Sequence, residues 1–404
     1  AGTSSMLSMD PLDAGGPAAG GFNVSSCISV RISRTEEQTS MMMQRFTAYV
    51  IDVSDFGQPS EVSHRYGDFE ALHKGLLVEC PGLTLPPMPP KGVDGTDVAV
   101  VATRKVELEK VLKAMLGNAE VLMEKQLSLW KFLNLPNPAV IAGRFVAVPR
   151  SRMNSLKTLA KLNDSKYKDD VYRLAHPPMV EILMEALKEL RRGDPESGHW
   201  CRQPGGRTNI CQLIAGALGT SEVARTRFLE MNVLDLLLGL VERDESALDD
   251  ARTALNVIVA REAERFSTLL GTFLTRGGLS QLAVLAQRPK CQEFVAKLLW
   301  LAWDAPTQSC FAQPGGQGLR VLQALLKSSL PTCSLLGAVL LSGLVASGAF
   351  NAEPTHRAEA LKMVRSVLEW PEAASDPQFT KTLCGATTAI VRLAGLLDDA
   401  DLAP

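Results

Sequence analysis

The sequence lacks the motifs that mark many enzymes and nucleotide-binding proteins. It contains no G-x-x-x-x-G-K, no G-x-S-x-G and no strand followed by G-x-G-x-x-G. Such motifs cradle phosphates, present a nucleophilic serine or bind a dinucleotide. Its eight cysteines are scattered without a C-x-x-C pair, which favours a reduced, cytoplasmic protein over a disulfide framework. We therefore predict a protein that is not an enzyme and needs no cofactor.

Metal-ligating residues are also sparse. His199 and Cys201, with Cys211 further on, form the only grouping that suggests a metal. A zinc site needs paired ligands at short, regular spacings, and this grouping does not supply them. We expect a loop histidine and core cysteines instead, and no metal. Trp300 and Trp303 lie at helical spacing, so we also expect these two side chains in a core.

Neither positive charge nor long apolar segments dominate the chain. The formal net charge is −2, whereas nucleic-acid binding usually requires a strongly basic face. The apolar stretch from Leu335 to Val345 is too short to span a bilayer and contains Gly and Ser. No basic start followed by an apolar run predicts a signal peptide. Contact with a membrane is therefore expected to be peripheral.

The first third of the chain has the pattern of a small sheet followed by helices. Residues 1–21 are rich in Gly, Ala, Ser and Pro and predict a flexible leader. Alternation predicts three antiparallel strands, with turns at residues 36–40 and 55–60. The strands are expected at 24–33, 43–53 and 62–66, and helices at 68–79, capped by Asp68, and from Asp97 onwards.

Three short motifs in this region share one chemistry. Arg65-Tyr66-Gly67-Asp68-Phe69 comes first, Pro86-Pro87-Met88-Pro89-Pro90-Lys91 follows, and Arg104-Lys105 completes the set. An arginine fork binds a phosphate by two charge-assisted hydrogen bonds, and a lysine adds a point charge. A tyrosine offers a flat face to a sugar-like ring. The set suits a polyanionic ring held against a surface.

These motifs, in this order, resemble the core of the phox-homology (PX) domain of sorting nexins, over residues 22–138. The resemblance implies an α+β domain that binds phosphatidylinositol 3-phosphate. By analogy Arg65 clamps the 3-phosphate, Tyr66 packs against the inositol ring, Lys91 meets the 1-phosphate and Arg104 binds the free 4- and 5-hydroxyls. His64 departs from the second basic residue often found at its position, and would contribute charge only when protonated.

The region around the proline segment has two further interpretations. Val93, Val98, Val100 and Val101 form a candidate membrane-insertion loop, since the corresponding family loop dips into the bilayer. Alternatively, Val100 and Val101 belong to the core face of the second helix. The proline segment also fits a P-x-x-P-x-Lys ligand of SH3 domains, although the resemblance explains the same residues without a partner.

Residues 139–175 are basic. Eight Lys or Arg stand against three Asp, which predicts either a solvated linker helix or an auxiliary contact with an anionic membrane.

From residue 176 to 404 the pattern is helical and repeats. Similar helices are expected to begin near Val233, Gly277, Gly315 and Arg357, each followed by a second apolar helix. The period of about forty residues resembles armadillo or HEAT repeats. Armadillo arrays that hold extended peptides often carry a ladder of asparagines. Only Asn256 lies near such a place in this sequence.

The combined prediction is a peripheral membrane adaptor on endosomes. Its PX domain would bind phosphatidylinositol 3-phosphate, and its all-α armadillo-like solenoid would bind an unidentified protein partner. The alternative is a protein–protein scaffold whose PX domain does not bind lipid and uses its proline-rich loop or its repeats.

Overall fold

The computed structural model describes residues 27–39, 43, 45–91, 97–118, 121, 128–162, 176–193, 198–311 and 316–347. The leader and any repeat after residue 347 lie outside this part of the chain. The chain forms two compact units, which divide between Leu159 and Ala160. The first contains a sheet with helices, and the second is helical throughout its described residues.

The sheet is an antiparallel meander of β1 (Ile28–Thr39), β2 (Arg45–Asp55) and β3 (Gln58–Arg65), in that order. β2 is central, and its residues from Ala48 to Ile51 are almost fully buried. The predicted turn at residues 36–40 is wrong for Glu36–Thr39, because β1 continues to Thr39 and pairs with β2 as far as Arg45.

Among the described residues, three helices accompany the sheet in the part of this unit that holds the sequence motifs. They are α1 (Tyr66–Glu79), α2 (Val98–Gly117) and α3 (Ser128–Phe132). α2 packs along β1, where the register shifts between Ile32 and Arg34. At this irregularity the Ile32 amide donates to Glu109 at 3.0 Å, and Lys105 donates to the Ser33 carbonyl at 2.6 Å. The backbone groups released by the bulge thus find partners on α2.

The N-terminal half of the basic segment is helical. It contains α4 (Asn137–Ala147) and α5 (Arg152–Leu162). Arg152 donates to the carbonyl oxygens of Phe145 and Val146, at 3.2 and 3.4 Å, and its burial lowers its pKa. Arg152 therefore satisfies the end of α4, whereas Arg150 and Lys157 are exposed.

The second unit is built from three-helix repeats. Its helices are α6 (Pro177–Arg192), α7 (Gly206–Thr220), α8 (Glu222–Glu230), α9 (Val233–Arg243), α10 (Leu248–Arg261), α11 (Phe266–Phe273), α12 (Leu279–Ala286), α13 (Pro289–Leu301), α14 (Ala305–Phe311), α15 (Gln317–Leu326) and α16 (Pro331–Ala346). Equivalent helices stack in columns. α6, α9, α12 and α15 form one column, and the pairs α7–α10, α13–α16 and α11–α14 belong to others.

Arginine caps join successive repeats in the same way. Arg243, at the end of α9, donates to the carbonyl oxygens of Arg192 and Gly193 at the end of α6, at 2.5 and 2.9 Å. Arg288, just after α12, donates to those of Val241 and Glu242 at the end of α9, at 2.9 and 2.5 Å. Because helix ends leave their last carbonyls without partners, these cations stabilise both junctions.

One helical run among the described residues, Phe266–Ala286, is long and apolar enough to cross a membrane by length and composition alone. Half of its apolar window is buried inside the fold. The run is also interrupted at Gly277, where φ is 100°. Both features are those of core helices in a helical repeat.

Candidate functional site

Arg65 stands at the junction of β3 and α1. Its backbone N–H donates to the Asp68 carboxylate at 3.0 Å, which fixes the first turn of α1. Asp68 is therefore in the first turn of the helix and is not the preceding cap residue that the sequence predicted. The Arg65 side chain is 62% exposed, and its Nε lies 3.4 Å from Asp68 Oδ1. Most of this guanidinium fork faces solvent.

Tyr66 begins α1 and holds the proline segment. Its hydroxyl donates to the Pro89 carbonyl oxygen at 2.5 Å. About two turns further along α1, His73 Nε2 lies 3.0 Å from the Pro86 carbonyl oxygen. Proline has no N–H and therefore cannot donate to the backbone hydrogen bonds of a sheet or helix. Side-chain donors from α1 therefore fix the segment.

Arg104 joins α2 to the same segment. Its Nε and Nη2 donate to the Pro90 carbonyl oxygen at 3.3 and 3.2 Å. The guanidinium carbon lies 5.1 Å from the centre of the Tyr66 ring, a cation–π distance. Only 5% of Arg104 is exposed. The guanidinium also interacts with the Tyr49 hydroxyl, so Arg104 is tied to both the proline segment and β2.

Lys91 follows Pro90 and is exposed. The Lys91 charge acts on Glu70 of α1. The pKa of Glu70 is lowered mainly by Lys74 and further by Lys91. In the described part of the chain the Lys91 ammonium forms no ion pair. Tyr66 and Arg104 thus contact the proline segment, Lys91 ends it, and Arg65 is the residue directly before Tyr66.

Two contributors were missed by the sequence analysis. His73 lies seven residues after Tyr66, which places both on one face of α1, and this spacing could have identified it. Tyr49 lies on β2 beside Arg104. Burial raises the pKa of Tyr49, and the Arg104 charge partly offsets the rise. No local pattern indicates that contact, because β2 and α2 meet only in the folded chain.

The candidate insertion residues differ in exposure. Val98 is 83% exposed at the start of α2, while Val100 and Val101 are half-buried. Val93 lies outside the described residues. Asp97 caps α2 by accepting from the Ala99 amide at 2.8 Å. Val98 is therefore a membrane-contact candidate at a fixed helix end.

The proline segment is built into this site. Pro89 is buried, whereas Pro87 and Pro90 are exposed. A ligand in the P-x-x-P-x-Lys register would have to present Pro86 and Pro89 to its partner. The burial of Pro89 therefore disfavours that interpretation.

The His199–Cys201 pair lies in the helical unit. His199 Nδ1 is 2.9 Å from the Cys201 sulfur, and burial raises the pKa of Cys201 to about 12. A thiol with so high a pKa is a poor nucleophile or metal ligand at neutral pH. Within the described ranges, no three His, Cys, Asp or Glu side chains are grouped for a metal.

A cleft of about 130 Å³ lies between α10 and α13. Leu255, Phe294 and Leu298 line it with Asn256, whose amide makes no hydrogen bond to the other described residues. Trp300 and Leu301, at the end of α13, are 52% and 55% exposed. The expectation that Trp300 is a core residue is therefore wrong.

Comparison with known families identifies the first unit. Residues 54–136 match the family model of the PX domain, a span that includes all four candidate ligands. No curated protein and no solved structure matches the chain. The chain thus contains a PX domain, a lipid-binding module that is generally not catalytic, followed by a helical solenoid. The match supports phosphoinositide binding and peripheral membrane association in general.

Proposed function

We propose that the chain is a peripheral membrane adaptor that binds phosphatidylinositol 3-phosphate through Arg65, Tyr66, Lys91 and Arg104. The observation that carries this proposal is that Tyr66 and Arg104 hold the proline segment that ends in the exposed Lys91, with the exposed Arg65 directly before Tyr66. Endosomal membranes are the proposed location. A protein partner on the helical repeats is the second part of the proposal.

Arg65 and Lys91 are assigned to the phosphates. Arg65 is exposed and only weakly engaged by Asp68, so its fork can take the 3-phosphate by two parallel hydrogen bonds. Lys91 is exposed at the C-terminal end of the proline segment and is assigned to the 1-phosphate, which links the ring to the lipid.

Tyr66 and Arg104 are assigned to the inositol ring. Arg104 covers one face of the Tyr66 ring, so the inositol must pack against the other face or the edge. Arg104 is almost fully buried, and a buried guanidinium suits uncharged 4- and 5-hydroxyls. A phosphate at either position would need space and solvation that this closed setting does not offer.

Insertion of the exposed Val98 would add to headgroup binding. Full burial of a valine side chain contributes about 1.5–3 kcal/mol. Val93 is proposed to act with it. Val100 and Val101 are half-buried, so their contribution would be smaller.

The cleft between α10 and α13 supports the proposed protein contact. Cavities of about 150 Å³ hold one benzene-sized group, so this cleft suits one apolar side chain of an extended segment. Asn256 at its wall can pair with that segment's backbone. Exposed tryptophan side chains such as Trp300 are frequent anchors in interfaces.

The alternative is a scaffold whose PX domain does not bind lipid. Its proline-loop version is disfavoured by the burial of Pro89. Its remaining support is the weak charge of the PX region: residues 21–140 contain twelve Lys or Arg and fourteen Asp or Glu. Headgroup recognition must therefore come from local geometry and not from bulk charge.

Vesicle binding separates the two functions. Vesicles of matched charge would carry the 3-phosphate, the 4-phosphate or the 3,5-bisphosphate of phosphatidylinositol, or none of these lipids. We expect the full chain to bind the first set best. Equal binding to all four sets would support the scaffold.

A further inference from the structure

The Asp68 carboxylate lies close to three groups: the backbone N–H of Arg65, the Arg65 guanidinium and the His64 ring. Asp68 accepts the Arg65 backbone N–H at 3.0 Å through Oδ2, and its Oδ1 lies 3.4 Å from Arg65 Nε. The same Oδ2 is 3.8 Å from Nδ1 of His64. Asp68 is thus placed between the arginine fork and the histidine that precedes it.

The His64 ring is held in one orientation. It stacks on Phe132, with ring centres 3.8 Å apart and planes 15° from parallel. Its Nε2 lies 2.7 Å from the Phe132 carbonyl oxygen. A carbonyl only accepts, so Nε2 carries the hydrogen of the neutral ring. Nδ1 then presents a lone pair toward Asp68, and a second proton can bind only there.

We propose that His64 and Asp68 are positioning residues that couple headgroup binding by Arg65 to pH. This inference rests on the proposed function. Protonation of His64 at Nδ1 creates an ion pair with Asp68, which weakens the hold of Asp68 on the Arg65 guanidinium. The fork then binds the phosphate more tightly, and affinity rises as pH falls.

The remaining charged and titratable groups around His64 come from each packed element. Tyr49 is its register partner on β2, and burial raises the pKa of Tyr49. Lys131 adjoins Phe132 on α3, and Arg65 follows on β3. Among these described neighbours Asp68 is the one anion within ion-pair distance of the ring.

Two effects of acidification oppose each other. Imidazoles gain charge between about pH 8 and pH 5, which strengthens binding by this mechanism. A phosphate monoester loses part of its second charge near pH 6, which weakens binding. The informative quantity is therefore the difference between wild type and a variant without the imidazole, measured on the same vesicles.

His64→Gln provides that comparison. Its amide can donate to the Phe132 carbonyl as Nε2 does, but it cannot become charged. The full-length proteins would be titrated onto phosphatidylinositol 3-phosphate vesicles at about pH 7.5 and about pH 5.5. We expect the wild-type to variant affinity ratio to rise about two- to fivefold at the lower pH, the size expected of a partly exposed ion pair.

Asp68→Asn tests the carboxylate independently. It keeps an oxygen for the Arg65 N–H and removes the charge that holds the guanidinium. We expect tighter binding than wild type near neutral pH and a flatter pH profile, with thermal unfolding as the control for folding.

Identical pH profiles of wild type and folded His64→Gln would overturn the inference. So would binding by folded Asp68→Asn that is weaker than wild type near neutral pH. A wild-type chain that binds the vesicles at neither pH would overturn the proposed function itself, and this inference with it.

Discussion

At the scale of single residues, the hydroxyl and the ring of Tyr66 have separate roles. The hydroxyl holds the Pro89 carbonyl, and the ring lies beneath Arg104. Tyr66→Phe removes only the hydroxyl, and we expect a loss of about 1 kcal/mol in the free energy of unfolding. Tyr66→Ala also removes the ring and should weaken vesicle binding further.

Denaturant unfolding and vesicle titration of both variants measure these two effects. Equal vesicle binding by Tyr66→Ala and Tyr66→Phe would mean that the ring contributes nothing to headgroup binding.

The motifs named the candidate ligands, but they did not indicate the side-chain partners of each one. Arg104 was expected to bind the 4- and 5-hydroxyls, and the structure adds that it is buried and holds Pro90, fourteen residues away. Asp68 was expected as a cap, yet it also contacts Arg65 and approaches His64. The burial and the partners of these side chains depend on how α1, α2 and the proline segment pack together. Local sequence patterns do not predict that packing.

At the scale of helices and strands, a close approach of helix ends sets the repeat geometry. A Cβ at Gly318 would lie 2.5 Å from the Phe311 carbonyl oxygen and 2.6 Å from its Cα. Backbone atoms cannot move aside cheaply, so Gly318→Ala should lower the free energy of unfolding by about 1–3 kcal/mol.

Gly219→Ala is the matched control. A Cβ there meets only Val257 Cγ1 at an ordinary 3.7 Å, so alanine should be neutral or stabilise α7 by up to about 1 kcal/mol. Denaturant unfolding followed by helical circular dichroism would measure both. Equal stability of the two variants would contradict the close approach.

Helix α5 gives a prediction about the membrane. Arg150, Lys157 and Lys161 are exposed, and basic residues near an anionic surface contribute about 1 kcal/mol each. Replacing these three with Gln, while Arg152 is kept for the end of α4, should weaken binding to anionic vesicles.

Added salt should reduce this difference, because charges are screened beyond about 8 Å at physiological ionic strength. Vesicle titrations at several salt concentrations would measure it. Equal binding of the triple variant and wild type at low salt would show that the segment does not touch the membrane.

The strands were predicted best where one face is buried. Alternation located the core of β1 and β2, but it missed residues 34–39 of β1, whose side chains are half-buried or exposed and give no burial signal. In the helical unit, the helices after Val233, Gly277 and Gly315 were predicted. The short helices α11 and α14, which precede α12 and α15, were missed because they have only eight and seven residues. Such lengths are too short for a periodic pattern.

At the scale of the whole molecule, we expect the two units to act together through avidity. A weak headgroup contact becomes strong when a second contact is made by the same chain. Replacing both Trp300 and Leu301 with Ala in the full chain should leave vesicle binding unchanged. The same change should reduce membrane recruitment in cells by about tenfold or more.

Val223→Ala is the control, since Val223 is also exposed, at 72%, but lies on α8. Recruitment would be measured by fluorescence of tagged full-length proteins. Equal recruitment of the Trp300→Ala/Leu301→Ala protein and the Val223→Ala control would place the partner contact elsewhere or exclude it.

Whole-molecule organisation was predictable in outline, since composition and period separated a sheet-containing unit from a helical array. The boundary was not. The segment 139–162, predicted as linker or helix, forms α4 and α5, and the compact units divide within α5. Basic composition masked the apolar side of these helices, where Phe145 and Leu156 are buried.

The most direct test of phosphoinositide binding compares the full-length wild type with Arg65→Ala on two vesicle sets that differ only in phosphatidylinositol 3-phosphate. Wild type should bind only the vesicles that contain this lipid. Arg65→Ala should bind them about thirtyfold more weakly, since the loss of a forked, charge-assisted contact is worth about 2 kcal/mol. Equal wild-type binding to both vesicle sets, or wild-type affinity in a folded Arg65→Ala, would contradict the account.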